Sequence, residues 1–485
     1  MKRIQNRIIY DKKDITFLVS VILLFTVAVF LTMIFIFWLF NNDFHSVADV
    51  FNANTLMLIG FSLLMIFTSS LIVIYLLSEK DGFRIKKDLL IIYLTLFIAI
   101  ILCVLSMTYI SLFFIPIAFC SVTIQILINK KTAICVNFLL AQILFLIFEF
   151  GKIDSNIIVN MEAAQIITVV IGVTISYIIM VFISNTGKRI ELTLRASLGA
   201  LFVLPVAFTA SLLMNYGAVD SIINAALAFA GTATAIILMT FALPIYEGIF
   251  KISTVFKLNE YCSFNNDLLK QLAEEAPGTF NHSLMVGSLA ESCAIAIGEN
   301  PQLARAAAYY HDIGKLISPN YFTENQTGTN PHDALIPEIS VEKIIKHATH
   351  GYELLKKYKY PPEIRDVTLE HHGTSPVIFF YNKALGLTEG KTNMENYSYK
   401  GPKPTTKISA IIMICDAAEA AARAIRAAGS QAEGLVEKLI REKTDFGQFD
   451  DCPVTMRDLD IIKKTVAGVL TGIYHTRISY NINQL

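Results

Sequence analysis

Apolar residues run in long unbroken stretches through the first half of the chain and in interrupted helical stripes through the second. Eight apolar stretches can be read, at roughly 15–40, 54–78, 88–106, 107–128, 132–150, 162–184, 195–215 and 220–248. Each is near the ~20 residues that an α-helix needs to cross a hydrocarbon core. The first is too long for a signal-peptide core and shows no cleavage site, so it is expected to be retained. The third and fourth are separated only by "SMTYIS", and the pattern leaves open whether they are separate helices.

From about residue 251 the pattern becomes amphipathic, with helix punctuation. "ENPQLARAAAYY" offers Asn300 as an N-cap and Pro301 at the first helical position. "SVEKIIKHATHGYELLKKY" is expected to open a helix at Ser340, and "PPEIRDVTLEHHG" to end one at Gly373. "TKISAIIMICDAAEAAARAI" is a long helix with an apolar face, and Thr455 to Asp458 is a capping-box pattern. Residues 386–404 are expected to be a loop, and no run of strands is evident. The expected fold is all-α: a multi-pass membrane helix bundle over 1–250, followed by a helical cytoplasmic domain over 251–485.

Loop charges support that plan. Lys2, Arg3, Arg7, Lys12 and Lys13 precede the first stretch, and "NNDFHSVADVFNA" after it has no Lys or Arg. Basic residues recur at Lys80–Lys87, at Lys130 and Lys131, and at Lys188–Arg195; the third and seventh loops have none and the fifth only Lys152. This alternation predicts eight spans with both ends cytoplasmic. No ionisable residue sits near the middle of a span, which argues against an ion-coupled transporter.

Composition sharpens the division. Of the 80 charged residues, 28 fall in residues 1–250. The formal net charge is zero, so no DNA or RNA polymer is expected as a partner; the bilayer is. The seven cysteines form no Cys-x-x-Cys pair, so neither a zinc ribbon nor a disulfide framework is expected. The oligomeric state is left open, a homodimer included.

The chemistry gathers in the second half. Seven of nine histidines lie between His282 and His372. "YYHDIGK" places His311 beside Asp312 at a helix end, where Gly314 can release the backbone so that both side chains converge. "EHHG" repeats the device with His371 and His372, and Asp416 follows an apolar run where a lone carboxylate needs a strong partner. His332, His350 and His475 are read as ordinary core or surface histidines. His282, His311, His347, His371 and His372, with Asp312 and Asp416, suit one or two transition metals.

The ordered set His282, His311-Asp312, His347, His371-His372, Asp416 resembles the HD-domain metal-dependent phosphohydrolases. "PGTFNHSLMVGSLAE", "YFTENQTGTNPHD" and "HATHGYELLKKYKYPPEI" are similar to the bacterial seven-transmembrane-receptor HD hydrolases, whose cytoplasmic domain is a cyclic-di-AMP phosphodiesterase. The resemblance covers 251–485 densely and the membrane half more loosely. It implies two metals, iron or manganese, bridged by Asp312. His282, His311 and Asp416 would hold one; His347, His371 and His372 would hold the other. His347 is preferred to His350 because the family's ligand lies four positions before the glycine, here Gly351. Asp312 and Lys315 would be the catalytic groups, with Lys315 near a substrate phosphate, and the product would be pApA. Relatives commonly carry a large extracellular domain where this chain has a short loop, and often a second histidine where it has Asn281. Rival readings are hydrolysis of cyclic-di-GMP or a guanosine polyphosphate, or a receptor that binds nucleotide without cleaving it.

Overall fold

The computed structural model describes Ser20, Ile22, Leu23, Val27 and residues 55–79, 82–114, 116–150, 161–184, 186–388, 390–425 and 430–474. Apart from those first four residues, the stretch 15–40 lies outside the described residues. The described residues are helical, with an isolated bridge between Pro376 and Ser398 and no strand. Two compact units divide the chain, Met1–Thr254 and Val255–Leu485.

In the first unit the helices are α1 (Thr55–Glu79), α2 (Gly82–Tyr109), α3 (Ala118–Leu127), α4 (Lys130–Phe150), α5 (Met161–Phe182), α6 (Arg189–Ala200), α7 (Val203–Leu213) and α8 (Ala218–Phe250). Leu63, Phe67, Leu90, Phe138, Ile237 and Phe241 point outward, while Ser121, Thr123, Asn137 and Ser176 are buried. Apolar outside and polar inside is the order a lipid solvent selects. Polar side chains tie helices together: half-buried Gln125 donates from Nε2 to the Met180 carbonyl at 2.9 Å, and buried Thr95 from Oγ1 to the Tyr246 hydroxyl at 2.9 Å. Among the described residues, Ile85–Ser106, Arg189–Leu213 and Ala218–Phe250 are long and apolar enough to cross a membrane. The stretch 107–128 does not form one helix of membrane length. Its first three residues end α2, and the other regular part is Ala118–Leu127, about 15 Å by helical rise and half the hydrocarbon thickness. Eight of its ten residues are buried, as are Phe113 and Ile117 ahead of it, whereas Ile110 is exposed.

The second unit is helical and packs on two large apolar clusters and a smaller one formed by Val341, Phe380, Ala384 and Tyr397. Its long helices are α9 (Val255–Tyr261), α10 (Asp267–Glu275), α11 (Pro277–Ile297), α12 (Pro301–Tyr310) and α13 (Pro337–Lys357). Two short turns, α14 (Pro362–Arg365) and α15 (Val367–Glu370), precede α16 (Ile378–Leu387), α17 (Lys407–Ile425), α18 (Ser430–Asp445) and α19 (Met456–Tyr474). One large cluster joins Val286, Leu289, Ile411, Ile414, Val436 and Ile462; the other joins Leu269, Tyr310, Ile313, Leu355 and Ile364. The caps follow local chemistry. Asn300 accepts from the Leu303 amide at 3.0 Å, and Thr455 and Asp458 exchange backbone-to-side-chain bonds at 3.0 and 3.1 Å. The helix expected to open at Ser340 opens instead at Pro337, whose ring presets φ and lacks the N–H that a first turn leaves unpaired; Ser340 is buried inside it.

Candidate metal centre

Five segments of the second unit converge. His282 comes from the first half of α11, and His347 from the middle of α13. His311 caps α12 and Asp312 begins a 3-10 turn over Ile313–Ile317. His371 and His372 follow α15, and Asp416 lies mid-way along α17. Gly314 permits this by close approach rather than by an unusual φ. A Cβ there would lie 1.9 Å from the His347 carbonyl oxygen and 2.5 Å from the Gly351 nitrogen. The backbone conformation that releases the chain belongs to Gly373 (φ 53°), after the two histidines.

The donor atoms form two groups that share a carboxylate. Asp312, His347, His371 and His372 make one; His282, His311, Asp312 and Asp416 make the other, and within each group the donor atoms lie within 4.8 Å of one another. Asp312 Oδ1 is 3.2 Å from His347 Nε2 and 3.6 Å from His371 Nε2; Asp312 Oδ2 is 3.2 Å from His311 Nε2 and 3.7 Å from His282 Nε2. Asp416 Oδ1 is 3.0 Å from His282 Nε2, and its Oδ2 is 3.7 Å from His372 Nδ1. His350 belongs to neither group.

The outer nitrogens decide what the inner ones can do. His311 Nδ1 donates to the Ala308 carbonyl at 2.7 Å, His347 Nδ1 to that of Ile344 at 2.6 Å, and His371 Nδ1 to that of Val367 at 3.1 Å. His282 Nδ1 donates to the Glu419 carboxylate. A carbonyl only accepts, so each Nδ1 carries the proton and each Nε2 of a neutral ring presents a lone pair inward. His347 and His371 then face each other through two lone pairs 3.3 Å apart, beside Asp312 Oδ1. Both Asp312 Oδ1 and His311 Nε2 are buried without an aligned hydrogen-bond partner. Three acceptors converging without a donor require a cation, and the imidazole and carboxylate donors suit a divalent metal.

Electrostatics agree. Burial opposes ionisation of Asp312, yet Lys315 and His311 hold its carboxyl well below the usual range. Asp416 is half-buried and is held low by His282 and His311 against desolvation. Burial resists charge on His311, but Asp312 and Asp416 raise it to about 10. The paired carboxylates therefore demand positive charge, from a proton or from a metal ion. His371 and His372 are lowered, first by burial, and stay neutral as ligands must.

A cavity of about 330 Å³ opens onto both groups. Lys315 lines it, but its ammonium is clasped by Asp312 Oδ2 at 2.7 Å and Glu324 Oε1 at 2.8 Å. Sequence reasoning passed over four further residues of the site. Glu419 lies one helical turn after Asp416 on the same face, a legible spacing. Glu324, Tyr399 and Lys443 carry no local signal. Tyr399, in the stretch expected to be a plain loop, is buried with its ring 4.2 Å from that of His372. Its backbone is pinned by its amide to the Ser375 carbonyl at 3.1 Å.

Comparison with known proteins places both units. Residues 55–254 match the family model of the 7TM receptor with intracellular HD hydrolase, and residues 279–421 match the HD domain. Cyclic-di-AMP phosphodiesterase PgpH of Bacillus subtilis (strain 168) is 34% identical over 84% of this chain and 58% of that protein. The protein of the same name from Listeria monocytogenes serotype 1/2a is 34% identical over 87% of this chain and again 58% of its own length. The chain thus spans less than two thirds of the length of these curated relatives. The solved HD domain of L. monocytogenes phosphodiesterase PgpH in complex with cyclic-di-AMP is 43% identical, covering 44% of this chain and 100% of that one, with a TM-score of 0.42. The apolar helical unit of this membrane protein thus matches the 7TM receptors with an intracellular HD hydrolase, and its second unit matches the HD domain.

Proposed function

We propose that this chain is a membrane-anchored, metal-dependent phosphodiesterase that hydrolyses cyclic-di-AMP to linear pApA and so lowers the concentration of a second messenger. The observation that carries the reading is the pair of donor groups that share Asp312, with His282 and Asp416 of one and His347, His371 and His372 of the other lining one cavity. The adenine preference is supported by the two PgpH relatives.

In this reading His282, His311 and Asp416 would hold one metal, His347, His371 and His372 would hold the other, and Asp312 would contribute to both sites. The donor set, without thiolate, suits iron or manganese. Such ions supply Lewis-acid stabilisation of phosphoryl oxygens and a nucleophile active at neutral pH. The protein's own part is orientation. The Nδ1 bonds to three carbonyls and to Glu419 lock four rings with Nε2 inward. Lys315 holds Asp312 in place and puts a positive charge on the cavity wall beside the scissile phosphate. Hydrolysis adds water across one P–O3′ bond, and the linear product leaves through the cavity mouth.

The metal-loaded full chain in detergent should convert cyclic-di-AMP to pApA faster than it cleaves cyclic-di-GMP or a guanosine polyphosphate, as read by chromatography of the products. Cleavage of either rival with cyclic-di-AMP left intact would overturn the substrate. Binding without cleavage of any of them would favour a receptor.

We further propose eight spans, with the N-terminus and the HD unit cytoplasmic. The matched membrane model, 55–254, takes in the seven apolar stretches that follow the first, with 107–128 counted as a broken span, so the first would add an eighth. In a background lacking the seven native cysteines, Ser46→Cys should react with an impermeant maleimide added outside intact cells and Phe83→Cys should not. Labelling of position 83 would reject this orientation.

A further inference from the structure

Three cations line the cavity, and they differ in what they are bound to. Lys315 is committed to Asp312 and Glu324. Arg423 is exposed and lies 3.8 Å from Glu419. Lys443, in the last turn of α18, donates to Ser375 Oγ at 3.1 Å, and no carboxylate pairs with it among the described residues. An ammonium drawn into a cavity wall with a neutral hydroxyl for a partner is under-compensated. Burial weighs against its charge, and the carboxylates of Glu442 and then Asp416 offset this only in part and without an ion pair to it among the described residues.

Holding the loop in place does not account for Lys443. The segment from His372 to Ser375 is tied down by Gln448, which accepts from the Thr374 amide at 3.0 Å and donates to Thr374 Oγ1 at 3.0 Å. Gln448 is itself buried. Lys443 adds a charge at a point where the loop is already fixed.

We propose that Lys443 and Ser375 form an anion subsite for the phosphate that is not being cleaved. The inference rests on the reading of the substrate as a cyclic dinucleotide. Such a molecule carries two anionic phosphates on opposite sides of one ring. The scissile one belongs at Asp312, the residue common to both donor groups, with Lys315 beside it. The other must enter a cavity whose wall already carries Glu324 and Asp416, so it needs a counter-charge of its own. Arg423 is too exposed to supply much. The ammonium of Lys443 and the hydroxyl of Ser375 together offer a charge-assisted pair of donors. Such a subsite favours a ligand with two phosphates over one with a single phosphate.

The test compares Lys443→Met and Lys443→Arg with the wild type, all as metal-loaded full chain. Cyclic-di-AMP is the two-phosphate ligand, and the linear dinucleoside monophosphate ApA, as substrate or competitive inhibitor, is the one-phosphate ligand. Lys443→Met should raise KM for cyclic-di-AMP about 10- to 100-fold, the loss expected for one hydrogen bond to a charged group. Its kcat should stay within about threefold, its affinity for ApA should be unchanged, and its metal content should match the wild type. Lys443→Arg should recover most of the affinity. An unchanged KM, an equal loss for both ligands, or a loss of metal would overturn the subsite and leave Lys443 a scaffold residue. A wild type that cleaves ApA and spares cyclic-di-AMP would instead reject the parent reading, and the subsite with it.

Discussion

Asp312→Ala is expected to lower kcat/KM for cyclic-di-AMP by about a thousandfold or more and to strip most of the bound metal. Asp312 is the one residue in both donor groups, with an oxygen directed at each. Losing it removes a ligand from each ion together with the negative charge between them. Lewis-acid stabilisation of a phosphoryl transition state is worth several kcal/mol, and ~4 kcal/mol corresponds to about a thousandfold in rate. The variant also leaves the Lys315 ammonium with Glu324 alone, so the fold must be checked by far-UV circular dichroism. Two neighbours make the assignment specific. His347→Ala should lose metal, because its Nε2 faces Asp312 and His371. His350→Ala, three residues away and outside both groups, should keep the wild-type content by elemental analysis. The reverse pattern would falsify the ligand assignment.

Gly314→Ala is expected to be among the most damaging changes of a single methyl group in the chain. The added carbon would lie 1.9 Å from the His347 carbonyl oxygen and 2.5 Å from the Gly351 nitrogen. Both are backbone atoms of α13, so no rotamer change relieves the clash, and the helix must move away from the turn that carries Asp312. Overpacking against backbone belongs at the upper end of the usual penalty, about 3 kcal/mol or more. For a unit of this size that corresponds to a fall in Tm of roughly 6–12 °C. Moving α13 also withdraws His347, so metal content should fall with stability. Gly434→Ala is the control: it is helical and exposed, and its Cβ would meet nothing within 4 Å, so helix propensity predicts a neutral or slightly stabilising effect. Equal Tm and metal content in the two variants would show that the close approach at Gly314 is not needed.

Much of this molecule is legible in its sequence, for reasons that are local. Long uncharged apolar runs have one stable home, so the membrane unit follows from composition alone. Pro301, Asn300 and the Thr455–Asp458 pair act within one helical turn, and the helices begin where those residues place them. Histidine and aspartate gathered at helix ends announce a metal-binding set, because few other environments reward so many unpaired donors.

What the tertiary structure decided is everything that depends on separation in space. Two donor groups rather than one follow from Asp312 turning one oxygen toward His347 and the other toward His311; no spacing along the chain encodes that rotation. The start of α13 at Pro337 rather than Ser340 was set by the proline's preference for a first turn. The irregular backbone ahead of Ala118 was not legible because hydropathy registers apolar content and not a break in the helix. Tyr399 and Lys443 lie far along the chain from the histidines and reach the cavity only because backbone pairing at Ser375 and the packing of α18 bring them there. Their side chains carry no periodic or motif signal, so the cavity's walls, unlike its ligands, became visible only in three dimensions.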